Sequence, residues 1–123
     1  MRISASESQI MEVLWKQDAP IPSEDILEAV AQPNGWSEGT VRTLLNRLLN
    51  KNAVEATREG RRYLYRPLVS REAYVRSESK GFLDRLFDGR LSPLVTHFSE
   101  TNELSATDIA ELKQLIARVE DGR

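Results

Sequence analysis

Ser37-Glu38-Gly39-Thr40-Val41-Arg42-Thr43-Leu44-Leu45-Asn46-Arg47-Leu48-Leu49-Asn50 is the stretch on which the reading of this chain turns. Val41, Leu44, Leu45, Leu48 and Leu49 recur at i, i+3, i+4, i+7 and i+8, the spacing of an apolar helix face. At ~100° per residue they fall within one arc. The opposite arc carries Gly39, Thr43, Asn46, Arg47 and Asn50, with Thr40 and Arg42 at its borders. Ser37 is placed to cap this helix, and no acidic residue follows Glu38 on it. Such a face of hydroxyls, amides and guanidinium groups is suited to hydrogen-bonding base edges and phosphates.

Two helices are expected upstream. Ser4 with Glu7, and Ser6 with Gln9, both match a capping box, in which a hydroxyl and an acid or amide satisfy orphan N–H groups reciprocally. Ile10, Val13 and Leu14 follow at helical spacing, with Met11 and Trp15 widening the face, and the helix should end near Gln17, before Ala19-Pro20-Ile21-Pro22. A second helix begins at Ser23, with Glu24 and Asp25 where the helix dipole favours negative charge. Ile26, Leu27 and Val30 are its buried stripe, and Pro33-Asn34-Gly35 breaks it. Downstream, Val54-Glu55-Ala56-Thr57-Arg58 alternates, Glu59-Gly60 turns, and Tyr63-Leu64-Tyr65-Arg66 returns before Pro67. Arg58, Arg61 and Arg62 surround the tip. Three helices followed by a basic-tipped hairpin is the order of a winged helix-turn-helix, whose third helix enters the major groove while the wing tracks the backbone.

The net charge of −2 conceals an asymmetry that agrees with this reading. Residues 1–39 sum to −5, residues 40–66 to +5 and residues 67–123 to −2. A polyanion responds to the local field rather than to the total. Arg58, Arg61, Arg62 and Lys51 are expected to neutralise phosphates, while Thr43, Asn46 and Arg47 face bases. The acidic residues of 1–39, Glu24, Asp25 and Glu28 among them, are expected to hold non-specific affinity low.

The remainder reads as three short helices. Ser70 caps a segment carrying Tyr74, Val75, Phe82, Leu83, Leu86 and Phe87, closed by Asp88-Gly89. Ser92-Pro93 puts a proline at a first helical position, opening a helix with Leu94, Val95 and Phe98. Ser105-Ala106-Thr107-Asp108 starts the last, with the stripe Ile109, Leu112, Leu115, Ile116 and Val119, and with Leu104 and Ile109 placed as a hydrophobic staple. About 50 residues hold little core of their own. These faces must bury against the wing domain or a second copy, and a symmetric dimer is the commoner solution. The expected fold is therefore mainly α with a small β-hairpin: a winged-helix head over residues 1–69 and a helical dimerisation region over residues 70–123.

Four segments resemble the penicillinase-repressor (BlaI/MecI/CopY) family. They are Ile10-Met11-Glu12-Val13-Leu14-Trp15, Trp36-Ser37 through Leu48, Gly60 through Ser70, and Phe82-Leu83-Asp84-Arg85-Leu86-Phe87. The similarity runs from about residue 3 to residue 120. It implies a homodimer on an inverted-repeat operator, with tail helices interlocking between subunits and repression of β-lactamase or cell-wall stress genes. Thr40, Arg42, Thr43, Asn46 and Arg47 then lie on the recognition helix, and Arg61 and Arg62 on the wing. Many members carry a basic residue where this chain has Gly39. Tyr74, Phe82, Leu83, Leu86, Phe87, Ile109, Leu112 and Ile116 are the expected dimer-facing residues.

Two modes of induction in that family can be held against the residues. The copper-responsive branch uses a cysteine-rich tail, and this chain has no cysteine. The β-lactam branch is released by an inducer-activated protease at an Asn-Phe bond. The matching segment, Pro93 through Glu100, has His97-Phe98 there, which makes it the expected cleavage site.

No catalytic site, cofactor or metal is expected: the single histidine, His97, has no nucleophile, carboxylate pair or phosphate-binding loop near it in sequence. Absence of a ~20-residue apolar run or a signal peptide points to a cytoplasmic protein without a membrane partner. Two other readings stay open. Winged helices also serve as protein-interaction modules, and Tyr74, Phe82 and Phe87 could line a small-ligand site.

Overall fold

A computed structural model describes residues 2–122. Helix α1 (Ala5–Trp15) leads through a short strand β1 (Ile21–Pro22) to α2 (Ser23–Asn34) and α3 (Glu38–Asn50). Strands β2 (Val54–Glu59) and β3 (Arg62–Pro67) follow, and then α4 (Arg71–Phe87), α5 (Leu91–Glu100) and α6 (Ala106–Asp121). This is a mainly α protein with a small antiparallel sheet in the order β1-β3-β2. Internal contacts divide it between Val75 and Arg76, inside α4.

In the first unit the helix starts are set by their caps. Of the two possible boxes on α1, Ser4 and Glu7 form the one present: Ser4 Oγ accepts from Glu7 N at 3.1 Å and Ser4 N donates to Glu7 Oε1 at 2.8 Å. Helix α2 ends on Gly35, whose φ of +67° lies in the left-handed region that glycine adopts without a Cβ clash. The apolar stripes converge as the spacing predicts. Ile10, Met11 and Leu14 of α1, Ile26 and Val30 of α2, and Val41, Leu44, Leu45 and Leu48 of α3 are all buried. Ile3, Ile21, Ala53 and Val54 close the core, while Val13, Trp15, Leu27 and Leu49 are half-buried against it.

The hairpin pairs Val54 with Pro67 through Glu59 with Arg62, and Gly60 takes the tip at φ +64°. The sequence reading treats Ile21-Pro22 only as a break after α1. Those two residues instead form an edge strand, opposite Tyr65 and Leu64. Proline is tolerated at such an edge because its missing N–H leaves no ladder bond unmade.

The start of α4 belongs to this unit. Trp15 Nε1 donates to the Val69 carbonyl at 2.9 Å, Arg71 pairs with Glu12 at 2.9 Å, and the Tyr74 and Trp15 rings stand 5.3 Å apart.

The second unit consists of the rest of α4 with α5 and α6. Asp88 and Gly89, both at positive φ, end α4. Pro93 does not open α5: Arg90 is the N-cap and the helix begins at Leu91. The third residue of a helix has no intrahelical acceptor for its N–H, so proline fits there as well. Ser105 and Asp108 make a complete capping box on α6. No residue of α4, α5 or α6 is buried, in contrast to the first unit.

Candidate nucleic-acid interface

Burying Val41, Leu44, Leu45 and Leu48 fixes the rotation of α3, so its other face must lie outward. Thr40, Arg42, Thr43, Asn46, Arg47 and Asn50 are all exposed there. Ser37 anchors the start: its Oγ accepts from Thr40 N at 3.1 Å and lies 3.1 Å from the Thr40 hydroxyl. Thr40 is thus partly engaged in capping. Gly39 leaves its surroundings open, since a Cβ there would meet only Ser37 Oγ at 3.7 Å. The glycine removes a side chain from the face without a steric reason.

Arg42 runs along the helix to Glu38, 2.9 Å away at i−4. Arg47 has no ion pair among the described residues, so its guanidinium is free for a ligand. On the hairpin, Arg58 Nε donates to the Gly60 carbonyl at 3.0 Å, and its guanidinium stands 6.0 Å from the Tyr63 ring centre. Arg62 lies between Glu59 at 3.1 Å and Glu24 of α2 at 3.8 Å. Arg66 pairs across the strands with Glu55. Arg61 is exposed and, among the described residues, unpaired. Between α2, α3 and β3 lies a groove lined by Glu24, Leu27, Glu38, Arg42, Asn46 and Tyr63. The basic segment is therefore less uniformly cationic than its charge of +5 indicates.

Lys51, expected on phosphate, is engaged elsewhere. Its ammonium donates to Glu7 Oε1 at 2.5 Å and to the Arg2 carbonyl at 2.7 Å. Glu7 is 1% exposed. Burial pushes its carboxyl up, but Lys51 and the Ser4 N–H outweigh this and hold it below the usual glutamate value. This bridge ties the start of α1 to the end of α3. The i, i+4 spacing of Glu38 and Arg42 is visible in sequence. Nothing in the sequence links Glu7 to Lys51, or Glu24 to Arg62.

The expected dimer-facing residues divide between the units. Tyr74 lies against Trp15 in the first. In the second, Leu86, Ile109 and Ile116 are exposed, Leu83, Phe87 and Leu112 are half-buried, and the Phe82 and Phe87 rings are 6.0 Å apart. His97 and Phe98 lie within α5, their rings edge-on at 5.4 Å. Among the described residues no three acidic or histidine side chains could share a metal ion, and no helix is long and apolar enough to cross a membrane.

The comparisons with known proteins agree with this architecture. The family model for penicillinase repressors matches residues 3–118. The penicillinase repressor of Bacillus licheniformis is 33% identical over 115 residues, spanning 94% of this chain and 89% of that protein. The methicillin resistance regulatory protein MecI of Staphylococcus aureus is 28% identical over 114 residues, spanning 93% and 92%. Among solved structures, the DNA-binding domain of the repressor BlaI superposes with a TM-score of 0.55 at 32% identity, over 59% of this chain and 88% of that one. The monomeric form of B. licheniformis BlaI in complex with the blaP half-operator gives 0.53 at 31%, over 60% and 89%. A winged-helix first unit, an outward polar face on α3 and a family match along nearly the whole chain lead to one conclusion: this protein belongs to the penicillinase repressor family.

Proposed function

We infer that this protein is a DNA-binding transcriptional repressor acting on antibiotic-resistance or cell-wall stress genes. It works in the cytoplasm as a homodimer on an inverted-repeat operator. The observation that carries the reading is the exposed Thr43-Asn46-Arg47 face of α3, oriented by a buried leucine stripe beside the Arg61-tipped hairpin. Arg61 and Arg58 neutralise phosphates and set register, while Asn46 and Arg47 hydrogen-bond base edges. The second copy is supported by the exposed Leu86, Leu115, Ile116 and Val119, an apolar surface that a monomer leaves in water. A basic reading helix and wing favour DNA over a protein-adaptor role.

Selecting bound duplexes from a random pool tests the proposal directly, with an inverted repeat as the expected product. If the dimer contacts about eight phosphates, affinity falls about 10³–10⁵-fold between ~50 and ~200 mM salt. Binding that ignores salt and sequence would refute the assignment.

Release by proteolysis at His97-Phe98 is the second part of the reading. The bond lies inside α5, so a protease must first unwind that helix. Incubation with membranes from induced cells is expected to cut the tail there, and an intact tail would count against it.

A further inference from the structure

Beyond phosphate and base contacts, the structure sets particular carboxylates beside arginines of α3 and the hairpin. The acidic residues of the first 39 positions are not equivalent. Glu38 and Glu24 line the groove beside α3; Glu38 pairs with Arg42 of α3 at 2.9 Å, and Glu24 lies 3.8 Å from Arg62 of the hairpin, which Glu59 also holds at 3.1 Å. Asp25 and Glu28, on the same helix as Glu24, have no ion pair among the described residues. Asp25 lies on a different surface, with Val13, Gln17 and Pro22.

We propose that Glu38 on Arg42, and Glu24 together with Glu59 on Arg62, are affinity-setting residues, occupying these arginines in the free protein so that DNA must exchange carboxylate for phosphate at each. This rests on the DNA-binding reading above. Both pairs are solvent-exposed, with side-chain exposures of 67% and 67% for Arg42–Glu38 and 49% and 61% for Arg62–Glu24. Exchange therefore needs no unfolding. Within a Debye length of ~8–10 Å, an approaching duplex meets carboxylate-occupied arginines at these two points and cations without a carboxylate partner at Arg47, Arg58 and Arg61. Operator and random DNA displace the same carboxylates, so the pairs lower affinity for both alike and leave the ratio between them unchanged. They determine how tightly the repressor holds DNA; Asn46 and Arg47 determine where.

The test measures binding of the full-length protein to a random duplex and to the duplex selected from a random pool. Glu38→Gln, and Glu24→Gln combined with Glu59→Gln, should each tighten both by about two- to five-fold at low salt, the size of an exposed ion pair. Asp25→Asn and Glu28→Gln, singly against Glu38→Gln and together against the double variant, change net charge equally and should have less effect. In an Arg42→Ala background the gain from Glu38→Gln should vanish, and likewise for the Glu24→Gln, Glu59→Gln double variant with Arg62→Ala.

Three results would overturn the proposal. Gains that persist without the arginine would mean direct repulsion of phosphate. Equal gains from Asp25 or Glu28 would mean bulk charge alone. Divergence of operator from random duplex in Glu38→Gln would make Glu38 a base-reading residue instead. A wild-type protein that binds neither duplex would refute the DNA-binding reading itself, a distinguishable outcome.

Discussion

Replacing Lys51 by methionine removes the cation that compensates the most buried charge in the first unit. Methionine keeps the length and apolar stem of lysine, so the change isolates the ammonium. Glu7, whose side chain is 2% exposed, keeps its bond from Ser4 N–H but loses Lys51. Removing one partner of a fully buried pair costs about 3–5 kcal/mol. Lys51 keeps 35% of its side chain in water, so solvent can relax toward the carboxylate and about 2 kcal/mol is expected. Urea unfolding followed by Trp15 and Trp36 fluorescence should show the midpoint fall by about 1–2 M.

The pH dependence provides a sharper check. In the parent, Glu7 is held below its ordinary value of 4.5, so its contribution is complete above that value and is lost as pH falls through the lowered one. In Lys51→Met, burial acts with less opposition and raises the carboxyl. The resulting penalty is present at neutral pH and relieved as pH falls through the raised value. The deficit should therefore shrink on acidification, and Glu7→Gln in the same chain should restore most of the loss. A deficit below about 0.5 kcal/mol, typical of a surface site, would refute the argument. So would one that is constant with pH.

On the interface, Arg61→Ala should weaken binding to all sequences and reduce the salt slope by about 1 per protomer, whereas Asn46→Ala or Arg47→Ala should cost about 1–3 kcal/mol of discrimination at one position per half-site. If both kinds of change scale specific and random DNA identically, the reading face is misassigned. In the tail, Leu86→Glu combined with Ile116→Glu should yield monomers in sedimentation and weaken operator binding while the tryptophan-monitored transition is retained; a dimer that survives would move the interface elsewhere. Gly35→Ala places a Cβ at φ +67° and should cost about 1–2 kcal/mol in the same unfolding assay, and an unchanged midpoint would show that the α2 end relaxes freely.

Local rules make much of the first unit legible from residues alone. A helix face repeats within four residues and a cap acts across three, so the α3 stripe, the Ser37 cap and the hairpin about Gly60 all lie within reach of spacing arguments. The same rules misplace the start of α5, because Ser92-Pro93 satisfies the first-turn preference for proline while the third position tolerates it equally. They also miss β1, since two residues containing a proline carry no strand signal. Ile21-Pro22 pairs only because the folded hairpin presents β3 as an edge.

Charge partners are the largest part that spacing could not supply. The sequence puts +5 on residues 40–66 and the apolar faces on the tail helices, which suffices to infer a DNA-reading head and a tail in need of burial. Only tertiary packing brings Glu7 to Lys51, 44 residues away, and Glu24 to Arg62. Arg47, Arg58 and Arg61 are left without a carboxylate partner among the described residues of that segment. The reason is physical: backbone periodicity is set by neighbours along the chain, whereas an exposed charge takes whichever opposite charge the packing of other elements places within a few ångströms.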